Sequence, residues 1–237
     1  MIKAPQGSVA LISGAGRGIG RHVALELLDQ GWSVSLGMRQ PVQPDWASGR
    51  EERVHLMAYD AADVTGEQRW VDAVLSRFGR IDALVANAGI MIPKTVIEAD
   101  DEDIDAMMAV NVKAPRRLAK AAWAALCATG RGRVIILASL SGKRVKSAGA
   151  GSYSLSKFAA VALAHAIRQT GFEQGVRATA VCPGFVATDM AAALTDRPAD
   201  RLTQPEDLAR IVAMLLALPN EASVAEFAVN CQLEEFF

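Results

Sequence analysis

The chain has 237 residues, 51% of them hydrophobic, enough to bury a large core and consistent with one α/β domain spanning 1–237. Its 25 Lys and Arg balance 26 Asp and Glu, so no global field draws it to nucleic acid or an anionic membrane. Three cysteines without a CxxC and three scattered histidines, His22, His55 and His165, argue against a disulfide framework and against a metal site.

The opening stretch MIKAPQGSVALIS shows no signal-peptide pattern, and no apolar run reaches the roughly 18 residues of a membrane span; a cytoplasmic protein is expected. An apolar run at 8–13 predicts a first strand, followed by the turn Ser13-Gly14-Ala15-Gly16-Arg17-Gly18-Ile19-Gly20 and an amphipathic helix at 21–30. Further strands are predicted at 33–37 and 54–58. Between them Pro41 and Pro44 argue against a full helix. A helix at 68–78, a strand at 83–86, one long helix at 103–128 and a strand at 134–138 come next. The chain continues with a helix at 153–172 and strands at 177–181 and 225–229. The strands are runs more than alternations, as expected where both faces are covered. Their alternation with helices predicts a Rossmann-type, doubly wound parallel sheet. Trp32, Trp46, Trp70, Trp123, Met107 and Met108 read as core or interface filler.

Two features carry chemistry. The glycine turn follows a strand and opens a helix, where a phosphate site needs residues without Cβ and free backbone N–H groups. Its spacing is G-x-x-x-G-x-G, not G-x-G-x-x-G, so by itself it leaves a plain strand-to-helix turn as the alternative. Tyr153 and Lys157, four apart on one helix face, form a workable acid-base pair, the ammonium favouring the phenolate; the bland alternative is a solvated face. Ser139, Asn111 and Pro183-Gly184 fall at strand C-termini or adjoining elements, where ligands of open α/β sheets bind.

Taken in order from about 8 to 190, these motifs resemble the short-chain dehydrogenase/reductase family. The family's T-G-x-x-x-G-x-G matches Ser13 to Gly20, with Gly14, Arg17, Gly18, Ile19 and Gly20 implied as cofactor contacts. Its adenine-contacting Asp matches Asp60, and its Asn-Ala-Gly segment matches Asn87-Ala88-Gly89. The resemblance implies a catalytic set of Asn111, Ser139, Tyr153 and Lys157, with Tyr153 and Lys157 also touching the cofactor. Val186 and Thr188 are implied at the nicotinamide carboxamide, and the strand order implied is 3-2-1-4-5-6-7. It also implies a homodimer or homotetramer, through an alanine-rich helix around 159–166, although alanine is simply a good helix former too.

The implied reaction is hydride transfer between NADP(H) and a small carbonyl or alcohol. Tyr153 exchanges the proton, Ser139 bonds the oxygen, Lys157 lowers the tyrosine pKa and holds the ribose, and Asn111 anchors a water that relays protons to Lys157. Read without the family, Asn111 is equally a buried amide at a helix bend.

The chain also departs from the family pattern. Serine replaces threonine at 13 and keeps the hydroxyl. Ser139 lies 14 residues before Tyr153, one more than usual, so Ser141 competes for its role; Ser139 is favoured because it ends a strand and keeps S-x-x-G. The ending Asn230 to Phe237 lacks the family's glycine, and Phe236 and Phe237 are expected to pack on a neighbouring subunit or beside the substrate entrance. The competing reading from another class is a catalytically silent NADP-binding regulator, but no member of the catalytic set is missing. Sugar-nucleotide epimerases need a further domain, and 47 residues follow Met190.

NADP(H) is expected over NAD(H). The position after the second strand that would carry an acid for the ribose 2′-hydroxyl is Met38, and Arg39 beside it, with Arg17 in the turn, can hold a 2′-phosphate. The substrate pocket is expected to be lined by Met91, Ile92, Leu140, Phe185 and the segment after Met190. Of Lys143, Arg144 and Lys146, between Ser139 and Tyr153, any that turned inward would favour an anionic substrate; otherwise they are solvated charges.

Overall fold

The computed structural model describes residues 7–233, so Phe236 and Phe237 lie outside the described residues. Seven parallel strands form one sheet in the order β3-β2-β1-β4-β5-β6-β7. They are β1 (Val9–Ser13), β2 (Ser33–Met38), β3 (Val54–Ala58), β4 (Ala83–Ala86), β5 (Arg133–Leu137), β6 (Arg177–Pro183) and β7 (Glu226–Val229). Every residue of β1, β4 and β5 is buried, which explains why these strands read as apolar runs.

Successive β1 side chains serve opposite faces, as a period of two demands. Val9 and Leu11 join a core with Trp70 of α2 (Gly66–Phe78), Leu118 of α4 (Ala114–Ala128) and Ala164 of α5 (Gly151–Gly171). Ala10 and Ile12 join Leu27 of α1 (Gly18–Asp29) and Val212 of α7 (Pro205–Ala217) on the other side. Trp32, Trp70 and Met107 are buried, and Trp46 and Trp123 pack against the two cores. Trp70 also satisfies its polar edge, donating from Nε1 to Ser35 Oγ at 2.7 Å, while that hydroxyl meets His55 Nδ1 at 2.8 Å.

The prolines between β2 and β3 leave two 3-10 turns, Asp45–Ala47 and Glu51–Arg53, where other connections have helices. The long helix expected at 103–128 is instead two helices, α3 (Asp101–Met108) and α4, joined by a π turn at Ala109–Lys113. Pro115 opens α4 and has no N–H to give the turn before it. The ladder widens there, and the Ala114 amide bonds the carbonyl of Ala109. Among the described residues no helix is long and apolar enough to cross a membrane, and no three His, Cys, Asp or Glu side chains gather to hold a metal.

Candidate active site

The C-terminal ends of the strands open into a cleft of about 1620 Å³. Its cofactor end is built by the turn between β1 and α1. Gly18 sits at φ +54°, a left-handed conformation costly for a side chain, and a Cβ on Gly20 would lie 2.4 Å from the Gly14 carbonyl oxygen. The Ser13 hydroxyl accepts from the amides of Asn87 and Ala88 at 3.0 and 3.1 Å, so the oxygen is the part of this side chain that the turn uses. Asn87 Nδ2 returns to the carbonyls of Ser13 and Gly14, locking β4 to the turn. Helix α1 has no side-chain cap and no acid in its first turn. Its first amides therefore stand at a cradle kept shallow by glycine, and the residues fit a dinucleotide pyrophosphate.

Gly14, Arg17, Gly18 and Ile19 line this end; Gly20 does not, its place being the close contact behind the turn. Arg39 and Asp60 line it from the ends of β2 and β3. Arg39 is exposed, and Asp60 accepts from the Ala62 amide at 2.9 Å. Arg17 is engaged elsewhere: its guanidinium pairs with Asp189 at 2.5 Å, at the start of the short helix α6 (Asp189–Ala192). This partner lies 172 residues away, and nothing local in the chain signals it.

At the other end, Ser139 follows β5 and caps a 3-10 turn, Leu140–Gly142, its Oγ accepting from the Ser141 amide at 3.1 Å. Ser139, Ser141, Tyr153 and Lys157 all line the cleft. Burial pushes the Tyr153 phenol above its ordinary range, and the nearby Ser139 hydroxyl pulls the other way. Desolvation is the larger of the two influences. Lys157 itself is drawn down to about 8 by burial. Its Nζ donates to the Leu137 carbonyl at 2.8 Å and stands 5.6 Å from the centroid of the Tyr153 ring.

Asn111 is buried behind the wall, in the π turn. Its Nδ2 donates to the Ile90 carbonyl and to Ser156 Oγ, and its Oδ1 accepts from the Ile90 amide, all at 2.9 Å. Both amide hydrogens are thus engaged, and Ser156, beside Lys157, is a partner the motif search missed. Asn87 and Gly89 line the cleft between the two ends, with Gly89 packed near Asn111 Oδ1 and Lys157 Nζ. Val186 and Thr188 close it from the chain after β6; the Thr188 hydroxyl donates to the Val186 carbonyl at 3.2 Å. Met91, Leu140, Phe185, Met190 and Leu194 line the substrate end, but Ile92 does not; Ile90 takes that place.

A family model described as short chain dehydrogenase matches residues 8–199. The chain belongs to the short-chain dehydrogenase/reductase family. This family member is 37% identical over 231 residues to agropine synthesis reductase of Rhizobium rhizogenes, an alignment covering 97% of this chain and 54% of that protein. It therefore spans about half the length of that curated relative. Among solved structures, the alcohol dehydrogenase of the archaeon Thermococcus sibiricus complexed with 5-hydroxy-NADP superposes with a TM-score of 0.82 at 30% identity, covering 97% of this chain and 99% of that one. The 3-ketoacyl-(acyl-carrier-protein) reductase of Brucella melitensis complexed with NADH superposes with a TM-score of 0.85 at 25% identity, covering 94% and 97%.

Proposed function

We propose that this short-chain dehydrogenase/reductase is an NADP(H)-dependent enzyme interconverting a small carbonyl compound and its alcohol, with Tyr153 as general acid and base. The observation that carries the reading is that Ser139, Tyr153 and Lys157 line one end of a cleft whose other end is the glycine cradle. Bound nicotinamide cofactor supplies or accepts the hydride.

The chain's own residues do the rest. Tyr153, a phenol that burial raises further, is protonated at neutral pH and stands ready to give a proton to the carbonyl oxygen, which Ser139 would also bond. As the proton leaves, the Lys157 ammonium, 5.6 Å from the centroid of the ring, favours the phenolate. One Lys157 N–H is held by Leu137, which leaves two for the cofactor ribose. Asn111, its amide hydrogens engaged, fixes the segment after Asn87-Ala88-Gly89; a water passing protons to Lys157 would rest on its remaining oxygen lone pair or its backbone.

Met38 in place of an acid, with Arg39 exposed at the cleft edge, supports NADP(H) over NAD(H). Val186 and Thr188 would meet the carboxamide and Asp60 the adenine. Leu155 and Phe158, exposed on α5, support a homodimer or homotetramer.

NADPH oxidation across aldehydes, ketones, diketones and keto acids tests the reading. Some members should be reduced, and Tyr153→Phe should lower kcat by about a hundredfold to ten-thousandfold while NADPH binding persists. Near wild-type kcat in that variant would remove Tyr153 from the mechanism.

A further inference from the structure

We infer that Arg117 and Glu67, neither of which lines the cleft, are positioning residues that set the affinity for the cofactor's adenine half; this rests on the function proposed above, which gives the β3 end of the cleft to that half. The wall there is the segment Tyr59 to Ala62, which leaves β3 and leads toward α2. The Tyr59 amide bonds the Met38 carbonyl at 2.9 Å, joining this segment to the end of β2. Asp60 accepts from the Ala62 amide through Oδ1 at 2.9 Å and from the Asp63 amide through its carbonyl at 3.0 Å. The Ala61 carbonyl is held from farther off. Arg117 of α4, 56 residues along the chain, donates to it from Nη2 at 2.9 Å.

The same guanidinium reaches a second element. Its Nε donates to Glu67 Oε1 of α2 at 2.8 Å, and the Tyr59 hydroxyl donates to that oxygen at 3.2 Å. The Glu67 side chain is only 4% exposed and that of Arg117 18%. A carboxylate buried so deeply needs a charged partner, and a planar fork can serve it and a carbonyl at once, which a single ammonium does less well. Trp70, one turn further along α2, packs on the Tyr59 ring with centroids 4.8 Å apart. Two helices that stay out of the cleft wall therefore grip it on either side of Asp60, Tyr59 by its hydroxyl and Ala61 by its carbonyl. A wall held in place binds its ligand without first being ordered, and one released from the grip loses affinity by the fraction of time it is misplaced.

Calorimetric titration with adenosine 2′,5′-bisphosphate, which presents the adenine half alone, tests this in Arg117→Met and in Arg117→Met combined with Glu67→Gln, where no buried carboxylate is left unpaired. Both proteins should bind it about tenfold more weakly than the wild type. With any carbonyl compound that the wild type reduces, KM for NADPH should rise alike while kcat at saturation holds. Arg117→Lys keeps a charge beside Glu67 but not a fork that spans both partners, so it should regain thermal stability and only part of the affinity. Amide hydrogen exchange at Ala62 and Asp63 in the cofactor-free protein should quicken about tenfold in the double variant. Wild-type affinity for the bisphosphate in a folded protein lacking Arg117 overturns the inference and leaves the proposed function standing. A wild type that binds neither NADPH nor the bisphosphate strikes the proposed function instead. The exchange measurement then decides: faster exchange supports the grip on the wall, and unchanged exchange overturns it.

Discussion

The side-chain amide of Asn111 clasps both backbone groups of Ile90, donating to its carbonyl and accepting from its N–H, each at 2.9 Å. Asn111→Leu keeps the volume and removes every one of these bonds, including that to Ser156. Groups left without partners near the core cost roughly 1 to 3 kcal/mol each, so urea denaturation should show a loss of about 2 kcal/mol or more. KM for the cofactor should rise with it, since Ile90 follows the Gly89 wall. Unchanged stability would mean that Ile90 finds other partners.

Arg17 and Asp189 make a different prediction, about cofactor choice. Both side chains are largely exposed, so the pair is weak and a cofactor phosphate can compete for the guanidinium. Asp189→Asn should lower KM for NADPH by up to about fivefold and leave KM for NADH nearly unchanged. Arg39→Leu combined with Met38→Asp should raise KM for NADPH by about a hundredfold relative to NADH, through loss of charged hydrogen bonds and added repulsion. A wild-type KM lower for NADH than for NADPH would dispose of both arginine assignments.

Lys157 predicts how stability varies with pH. Its pKa falls from 10.5 to about 8 on folding, so between those values the unfolded chain holds more protons and stability rises with pH. Cys182 acts the opposite way, its thiol pushed by burial from 9.0 to about 11, so stability is lost as pH climbs past 9. The raised Tyr153 phenol adds to that loss above 10. The clean window for Lys157 is therefore pH 8 to 9. Urea unfolding of the cofactor-free protein should show stability climbing across it, and Lys157→Met should flatten the climb. A falling wild-type curve there would contradict the burial of this amine.

Gly37, in β2 beside the cofactor end, lies under the indole of Trp70: a Cβ added there would stand 2.3 Å from Cη2. Gly37→Ala should cost about 1 to 3 kcal/mol by overpacking, and Trp70→Leu in the same chain should recover part of it. Equal losses with and without the second change would place the strain elsewhere.

Much of this protein is legible locally. Apolar runs announce strands covered on both faces, the glycine turn marks where a strand hands over to a helix, and Tyr153 and Lys157 share a face because four residues make about one helical turn. The order of these motifs supports the family and, through it, the strand order, and the two prolines after β2 rule out a helix there. Other properties depend on which distant groups meet. Arg17 finds Asp189 from the far end of the fold, and Lys143 finds Glu226 on the edge strand while Arg144 stays with the cleft. The amide of Asn111 turns to Ile90, and Ile90 replaces Ile92 in the substrate wall. The helix broken by the π turn and the raised phenol of Tyr153 belong here as well. Hydrophobic period and turn chemistry are set by neighbours along the chain, so the sequence determines them by itself. Charge pairing, side-chain direction and the cost of desolvation are set by neighbours in space, and only the packed structure decides those.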